Sequence, residues 1–388
     1  MTPVISEFSN DIKIITPDDG YHYFFAYYDM RATGKDINKR HLCHRVSFMD
    51  RLPEADDVCE LGYLENGRFV KFAETTAWNF QQGAMLQYHP TLENTVFYNV
   101  IKDGKFATAI HNFESGKIRY TDRATATVSP NGKHGLGVNF GRIYAFRAGY
   151  GYVDFVDEGK DTNAPTNDGV FLVDMESGKS RLLISYRDML EEAGFGENDK
   201  ILVNHITFNT DSTKYIMLVR DLREGELGWD TSMIVGDLSG GIRTVVKRSY
   251  VSHYFWTSPN EIMAHATVEK GKESLYIFNT DTSSYREVAN GYIDGGEYDI
   301  HCSLSPDGRY VIGDGYPVND YSSLVAIELA TGKSKTLLRS FSPTPSNYDI
   351  RCDLHARFIL GGSYISYDTI ENGKREIAVF PTSNIKFD

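Results

Sequence analysis

One structural unit recurs along this chain: a short apolar strand, a polar turn and a second strand. Its clearest copy spans 171–184, where a turn containing Gly178 joins two apolar runs. Apolar runs separated by such a turn are typical of a β-hairpin. Similar copies lie at 107–120, 233–246, 275–288 and 324–338. The repetition favours a protein built from sheets.

A second tight turn precedes most of these hairpins, and each such turn is followed by another apolar strand. Its copies lie at 129–133, 209–214, 258–261 and 305–309. Two hairpins per repeat make a four-stranded sheet, and the interval of about 40–60 residues is the range of propeller blades. A pair of β-sandwiches would explain the turns but not the two-hairpin period. We therefore predict an all-β chain that folds as a seven-bladed β-propeller of four-stranded antiparallel blades.

The period also predicts where each blade lies. The predicted blades span 22–74, 75–121, 122–187, 198–248, 249–290, 296–340 and 348–388. A strand near 12–15 is expected to pair with the last blade, which would remove an exposed edge. Residues 1–388 would then form a single β-propeller domain closed by N- and C-terminal strands. One helix is predicted at 186–192, between two blades.

Composition limits the partners and the compartment. The 388 residues carry a formal net charge of -13, which argues against nucleic acid or an anionic membrane as a partner. No apolar run reaches the roughly 18 residues that cross a bilayer. Four cysteines are too few for a disulfide framework in a chain of this length. We expect a cytoplasmic monomer, or a periplasmic or secreted protein if an upstream signal peptide was removed.

Aligning the tight turns of the blades gives candidate site residues. Segments 298–305 and 348–355 form an internal repeat in which Tyr, Asp, Ile, Cys and Leu coincide. Inner strands of a propeller begin around one end of its axis, so residues four positions before each turn are expected to share a space. These residues are Thr125, His205, Tyr254, His301 and Arg351. His205 could instead cap a strand, and the other histidines, His44 and His253 among them, are expected at the surface or in packing.

The same repeat predicts a metal site. His301 and His355 lie on inner strands of adjacent blades, and Cys352 lies three residues before His355. Imidazole and thiolate suit zinc or a similar ion. Asp353 is a further candidate ligand. The alternative for Cys352 is that it packs as a small apolar residue.

Two other stretches combine polar groups with aromatic residues. Segment 138–152 carries Arg142 and Arg147 among Tyr and Phe residues. The guanidinium fork binds carboxylate or sulfate in two-point fashion, and aromatic faces suit sugar rings. The alternative is that Arg147 stacks on neighbouring tyrosine rings within a loop.

The second stretch places consecutive amides beside a tryptophan. Asn79, Gln81 and Gln82 follow Trp78 within four residues. Such amides are suited to anchoring a polar ligand at a channel mouth. They are equally suited to holding the loop of the blade together.

Together these motifs resemble the propeller polysaccharide lyases. The resemblance is carried by 78–83, by Tyr98 with Asn99, by 147–152, by His301 before the turn at 305–308, and by 351–358. It is a resemblance to oligogalacturonate lyases and, more closely, to ulvan lyases, and it covers nearly the whole chain. It implies β-elimination at a uronic acid of an acidic oligo- or polysaccharide. In that reaction an arginine neutralises the carboxylate, a base removes the adjacent proton and an acid protonates the leaving oxygen.

The resemblance also implies residue roles. Arg142 would neutralise the carboxylate, His205 would act as base or acid, and Tyr186 would assist. A divalent metal ion, zinc or manganese, would be held by His301, Cys352 and His355. The implied substrate-binding residues are Asn79, Gln81, Gln82, Asn99, Arg147, Tyr254 and Arg351.

The chain departs from the ulvan lyases at three positions. Asn79 and Asn99 stand where those enzymes place catalytic histidines, and Ala126 lies near the position of a catalytic tyrosine. Asparagine does not exchange a proton near neutral pH. The chain is then either a lyase-like enzyme that uses His205 with Tyr186 or Tyr254, or a non-catalytic propeller that binds a glycan. A protein-interaction scaffold would fit the fold but would leave the histidines and arginines unexplained.

Overall fold

The computed structural model describes residues 11–34, 40–155, 157–221, 230–269, 272–289 and 299–385. Seven four-stranded antiparallel sheets form the blades of a seven-bladed β-propeller, as the two-hairpin period predicts. The contacts between residues divide the chain into two compact units, 1–96 with 288–388 and 97–287.

The first unit contains the first, sixth and seventh blades. The first blade has β2 to β5 at His22–Phe24, His41–Val46, Cys59–Glu65 and Arg68–Thr75. The sixth has β22 to β25 at His301–Leu304, Tyr310–Asp314, Tyr321–Glu328 and Ser334–Phe341. The seventh has β26 to β28 at Arg357–Ile359, Tyr364–Thr369 and Glu376–Pro381, and its fourth strand is β1 at Lys13–Ile14. Thus β1 pairs antiparallel with β28, the last strand of the chain.

The second unit contains the third, fourth and fifth blades. The third has β10 to β13 at Thr127–Val128, His134–Gly137, Gly169–Asp174 and Ser180–Ser185. The fourth has β14 to β17 at Ile201–Phe208, Lys214–Asp221, Asp230–Asp237 and Ile242–Ser249. The fifth has β18 to β21 at Val251–Trp256, Glu261–Glu269, Lys272–Asn279 and Tyr285–Ala289. The second blade includes residues on both sides of the division at residue 96 and has β6 to β9 at Gln87–Tyr88, Thr95–Lys102, Lys105–Asn112 and Lys117–Tyr120.

Burial follows the position of each strand in its blade. In β15, a central strand, seven consecutive residues from Tyr215 to Asp221 are buried. In β9, the outer strand of its blade, every residue is exposed. A central strand is covered on both faces and therefore carries a continuous apolar run, whereas an outer strand keeps polar residues. This gradient explains why the predicted blade limits fall within a few residues of most of the observed sheets.

Among the described residues of the second unit, two α-helices lie between strands. The predicted helix is present as α2, Tyr186–Ala193, with Ser185 as its N-cap and Gly194 in the left-handed conformation that ends it. A second helix, α1 at Phe140–Phe146, was not predicted. The Asn139 side chain caps it by accepting from the backbone N–H of Arg142. Short 3-10 helices occupy Ala148–Tyr150, Tyr348–Ile350, Leu360–Gly362 and Thr382–Asn384.

All four cysteines, Cys43, Cys59, Cys302 and Cys352, are buried and free. Within the part of the chain that the structure describes, no helix has the length and apolar character needed to cross a bilayer.

Strand β3 buries two histidines in the first blade. His44 Nδ1 lies 3.2 Å from the Phe24 carbonyl, and its Nε2 accepts from the backbone N–H of Ala84 at 3.0 Å. His41 contacts the Leu42 carbonyl and the Ser366 hydroxyl through its two ring nitrogens. Burial lowers the pKa of each histidine to about 3, and Arg357 adds to the effect at His41. Both rings are therefore neutral in the folded protein.

We expect acid to destabilise the protein through these two rings. Their folded-state pKa lies below the ordinary value of 6.5, so their contribution is complete above pH 6.5 and is lost as pH falls toward 3. Each ring should lower the free energy of unfolding by about 1.4 kcal/mol for every unit by which the pH falls within that window. Urea unfolding of His44→Gln between pH 7 and pH 4 should show a shallower pH dependence than the parent. His134→Gln, at a half-buried position, serves as the control, and an unchanged slope in His44→Gln would contradict the assignment.

Candidate functional site

Three potential metal ligands meet in the first unit. The ligand atoms of His301, Asp353 and His355 lie within 4.8 Å of one another, and all three residues are buried. Asp353 Oδ2 is 3.9 Å from His301 Nε2 and 4.0 Å from His355 Nε2. Two imidazoles and one carboxylate form a donor set that divalent transition metals accept. The cluster therefore includes both histidines that the internal repeat indicated.

Asp314 orients one of these histidines. Its Oδ2 lies 3.2 Å from His301 Nδ1 and accepts from the backbone N–H of Leu354 at 2.9 Å. A carboxylate that holds Nδ1–H of a histidine directs the Nε2 lone pair at a metal. Burial alone would lower the pKa of His301, but Asp314, with help from Asp353 and Asp299, outweighs it and raises that pKa. Asp314 thus fixes both His301 and the segment that carries Asp353.

Arg351 holds the third ligand in place. Its Nε donates to Asp353 Oδ1 at 2.9 Å, and its Nη2 lies 2.7 Å from Asp353 Oδ2. The guanidinium also faces the Tyr348 and Tyr316 rings, at 4.4 and 5.1 Å from their centroids. Arg351, which was predicted to bind substrate, is 2% exposed. Its Nε and Nη2 pair with the two carboxylate oxygens of Asp353. This two-point pair orients Asp353 toward the histidines.

Cys352 lies beside the cluster without joining it. Its thiol points to the Asp353 carbonyl at 3.9 Å, and burial raises its pKa to about 12. A thiol binds a metal as the thiolate, and burial in apolar surroundings opposes that form. The structure groups His301 and His355 with Asp353, the further candidate ligand of the sequence analysis, in place of Cys352.

The amide-rich segment beside Trp78 contacts the chain just before Asp353. Asn79 Oδ1 accepts from the backbone N–H groups of Gln81 and Gln82, so its side chain builds the turn. Gln81 Nε2 donates to the carbonyls of Asp349 and Arg351, both at 3.1 Å. The turn ends at Gly83, where φ is +59° and an added Cβ would lie 2.3 Å from the His44 ring. Asn79 and Gln81 therefore hold the loop that precedes the metal cluster.

Aromatic residues that the sequence did not single out cover the cluster. The Tyr28 ring centroid lies 5.6 Å from that of His301 and 5.9 Å from that of His355, and the Tyr27 ring contacts His355 at 6.4 Å. Asp29 follows in the chain. Burial raises its pKa to about 7, and Arg31 offsets only part of that rise.

A second group of candidate residues lies in the second unit, around His205. Strand β14 has a bulge there: Asn204 pairs with Leu218 and Ile206 with Met217, so the register of the two strands shifts at His205. Its φ is +51°, a left-handed conformation that costs a non-glycine residue about 1–3 kcal/mol. The ring lies 5.8 Å from that of His253 and 6.1 Å from that of Tyr150, centroid to centroid. Bulges of this kind re-aim side chains beside active sites.

Two arginines accompany these histidines. Arg147 stacks on the Tyr150 ring at 4.5 Å, as the alternative interpretation of its segment expected. Arg220 is 6% exposed and donates to the Val251 carbonyl at 3.4 Å. Both line a cavity of about 10 Å³ with Asn204 and Tyr150. That volume holds about one water molecule, so a sugar would have to lie over this group rather than inside it.

Arg142, predicted to bind the substrate carboxylate, is fully buried and its donors are occupied. Its Nη1 donates to Asp157 Oδ2 at 3.1 Å and to the Gly159 carbonyl at 3.2 Å. Its Nη2 donates to the carbonyls of Thr162, Asn163 and Ile201, and its Nε also donates to Ile201. All five N–H groups of a guanidinium can be accounted for in this way. The geometry gives Arg142 a structural role, which is to fasten the 157–163 loop to β14.

Tyr186 belongs to the same buried unit. Its ring lies 4.9 Å below the Arg142 guanidinium and is 0% exposed. Burial raises the pKa of its phenol, with a further contribution from Asp168. A buried, protonated phenol stacked on a cation stabilises that cation but does not face a ligand.

Three more predicted ligand-binding residues, Asn99, Tyr254 and Gln82, are buried. Asn99 donates to the Thr125 carbonyl and to the Tyr152 hydroxyl, both at 3.0 Å, and accepts from the Thr108 hydroxyl at 2.7 Å. Tyr254 packs in an apolar cluster with Trp256 and its neighbours. The pairing of β18 is irregular between Val251 and Tyr254, and the ring that contacts His205 from this strand is that of His253. Gln82, in the first unit, is buried beside the turn that Asn79 builds.

The comparisons with known proteins bear on the fold. No family model matches the chain, and no curated protein matches its sequence. An oligogalacturonate lyase solved in complex with manganese superposes with a TM-score of 0.69 at 14% identity, covering 98% of this chain and 96% of that one. An oligogalacturonate lyase of Vibrio parahaemolyticus gives 0.67 at 13% identity, with the same coverage. A prolyl endopeptidase gives 0.53 at 10% identity, covering 94% of this chain and 51% of that one.

Identity this low shows a shared fold and leaves activity open. The chain shares the propeller fold of the oligogalacturonate lyases over nearly its whole length.

Proposed function

We propose that this protein is a lyase that cleaves a uronate-containing oligosaccharide by β-elimination. The observation that carries the proposal is the His205 group: two histidines in ring contact beside two arginines, with His205 held at a bulge in a left-handed conformation. Positively charged and titratable groups placed together by a strained backbone are typical of catalytic sites. The shared fold with oligogalacturonate lyases supports the same class of substrate.

The roles follow from the chemistry of elimination. Arg147 and Arg220 would bind the uronate carboxylate, which stabilises the negative charge that develops on the sugar. His205 would remove the proton from the carbon next to the carboxylate. The electrons of that C–H bond form the new C–C double bond as the glycosidic C–O bond breaks. His253, whose Nδ1 lies 3.3 Å from the Ser252 hydroxyl, would protonate the leaving oxygen.

We also propose that His301, Asp353 and His355 hold a divalent metal ion, manganese or zinc. The buried donor set fits such an ion, because Asp314 leaves the His301 Nε2 lone pair available and Arg351 orients Asp353. A bound ion would supply a Lewis acid for the oxygens of an acidic sugar. The chain's own part is to fix the three donors and to exclude water through Tyr27 and Tyr28.

Metal titration tests this donor set. Asp314→Asn should weaken Mn²⁺ binding by about 10- to 100-fold, the usual effect of losing a carboxylate behind a ligating histidine. Asp353→Asn should weaken it at least as much, since it removes a ligand. Cys352→Ser is the matched control and should bind like the parent. Electron paramagnetic resonance of free Mn²⁺ measures all three, and tight binding in Asp353→Asn with loss in Cys352→Ser would reverse the assignment.

The function itself is tested by following the ultraviolet absorbance of the unsaturated product. The protein, supplied with Mn²⁺, is incubated with oligosaccharides of galacturonate, glucuronate and iduronate, and with neutral galactose oligomers as the control. We expect absorbance to rise with at least one acidic substrate and with none of the neutral ones. No rise with any acidic oligosaccharide would reject the lyase.

A non-catalytic glycan-binding propeller is the second candidate. It is favoured by Asn79 and Asn99, which stand where the resemblance expects catalytic histidines and which are both fully buried in structural hydrogen bonds. Binding of galacturonate oligomers by calorimetry without any elimination would favour this candidate.

A further inference from the structure

An open cleft of about 690 Å³ lies in the second unit, next to the third blade. Its walls carry the half-buried rings of Phe106 and Phe155, whose centroids are 4.8 Å apart. Lys105 and Glu158 are exposed at its edge, and Arg123 lies in its wall. A concave site with aromatic walls and a few polar groups is the usual form of a small-ligand site.

Arg123 is the distinctive residue of this cleft. Its guanidinium carbon lies 3.4 Å from the centroid of the Phe171 ring, so one face of the cation is covered. Among the residues that the structure describes, none forms a hydrogen bond or ion pair with the guanidinium of Arg123, although its backbone carbonyl accepts from the Thr121 hydroxyl at 2.7 Å. Stacking on a ring leaves the in-plane N–H donors of a guanidinium pointing outward and available.

Two carboxylates, Asp122 and Asp168, line the cleft with Arg123, and neither forms a hydrogen bond with its guanidinium. Burial lowers the pKa of Arg123, and the charges of Asp168 and Asp122 only partly oppose that effect. The Asp168 oxygens already accept from Asn139 Nδ2 at 2.7 Å and from the Gly169 N–H at 2.8 Å. A half-buried cation with unused donors gains more from a two-point carboxylate than an exposed one does.

The local fold keeps room for this side chain. A Cβ added at Gly137 would lie 2.9 Å from Arg123 Cδ, so the absence of a side chain there lets the arginine stem pass. The opposite wall contains Gly159 and Thr162, whose carbonyls are held by Arg142. The cleft is therefore fixed on both sides by buried contacts.

One short helix separates the cleft from the His205 group. Phe140, at the start of α1, lines the cleft, whereas Ile143 and Phe146 line the small cavity beside Arg220. Seven residues of α-helix span about 10 Å, a distance that a short oligosaccharide covers.

We propose that Arg123 and the Phe106–Phe155 wall form an accessory subsite that binds the carboxylate of a second uronate unit of the same oligosaccharide. The inference rests on the proposed function for its sugar chemistry. Arg123 would donate two hydrogen bonds to the carboxylate, and the rings would contact the sugar face.

Calorimetry with trigalacturonate tests the subsite, in protein carrying His205→Ala so that the ligand is not cleaved. We expect Arg123→Ala to raise the Kd at least tenfold, as the loss of a charged hydrogen-bonded pair predicts. Arg119→Ala is the matched control, because that exposed arginine donates only to the carbonyls of Met175 and Glu176, and it should bind like the parent. Methyl-esterified trigalacturonate should bind weakly and equally to all variants.

Equal Kd values for the parent and Arg123→Ala, or an ester that binds as tightly as the acid, would overturn the subsite, as would no binding of trigalacturonate. If Arg123→Ala unfolds at a lower temperature than the parent, Arg123→Lys and a crystal soaked with trigalacturonate replace it. A carboxylate within hydrogen-bond distance of residue 123 in that crystal would support the subsite, and its absence would reject the subsite. Elimination is measured separately in protein that retains His205. No elimination together with Arg123-dependent binding would reject the proposed lyase and leave the subsite standing.

Discussion

Replacing His205 by asparagine should lower the rate of elimination by about 10²- to 10⁴-fold, the usual contribution of a general base. Asparagine is close to histidine in shape and tolerates the left-handed φ of +51° at this bulge, but it does not exchange a proton near neutral pH. The fold should therefore survive while the chemistry is lost. Product absorbance gives the rate, and thermal unfolding gives the stability of the same sample.

A glycine at the same position separates strain from chemistry. His205→Gly should be equally inactive, and it should relieve the backbone strain of the left-handed residue, which partly offsets the lost packing. His89→Asn, in a turn remote in sequence from the bulge, is the control and should keep full activity. An active His205→Asn enzyme would show that another residue is the base, with His253 the next candidate.

Arg142→Met should destabilise the protein by about 3–5 kcal/mol, because it leaves Asp157 buried without its cation. The side chains of Arg142 and Asp157 are 0% and 1% exposed, and the arginine also satisfies four backbone carbonyls. Buried acceptors without donors add to the cost. Urea unfolding measures the change, and any loss of elimination should follow the loss of folded protein.

An exposed ion pair supplies the contrast. Arg187 pairs with Glu197 at 2.7 Å, with side-chain exposures of 44% and 79%. Arg187→Met should change the stability by no more than about 1 kcal/mol, as exposed pairs do. If Arg142→Met were as stable as the parent but inactive, Arg142 would bind the substrate, as the sequence resemblance implies.

Residue type and spacing in this sequence predicted the site only in part. His301 and His355 were found because a local repeat aligned their blades. The repeat also aligned Arg351 with His301, yet Arg351 pairs with Asp353. Residues 351–356 lie before β26 and outside any strand, so strand alternation does not set the direction of their side chains. Asp314 is the cross-strand partner of His301 in the β22–β23 hairpin, so the turn at 305–309 sets that pairing, although residue type alone did not single Asp314 out.

Register shifts explain the remaining differences. Alignment placed Tyr254 beside His205, but the irregular pairing in β18 turns Tyr254 into the core and brings His253 to that place. Arg142 and Arg123 are nineteen residues apart and are equally good carboxylate ligands by type. Arg142 is surrounded by hydrogen-bond acceptors. Arg123 stacks on Phe171, and its guanidinium has no hydrogen-bond acceptor among the described residues. Neither environment is visible in the residues next to them in the chain.

The sequence by itself determined the hairpins, their grouping as two hairpins per blade, most blade limits and helix α2. These features follow from turns, caps and strand alternation, which are set by residues within a few positions of each other. Tertiary structure decided which arginine is structural, which histidines meet and which carboxylate joins them. Those outcomes depend on bulges, on loops between strands and on the burial of each charge, and burial is a property of residues far apart in the chain.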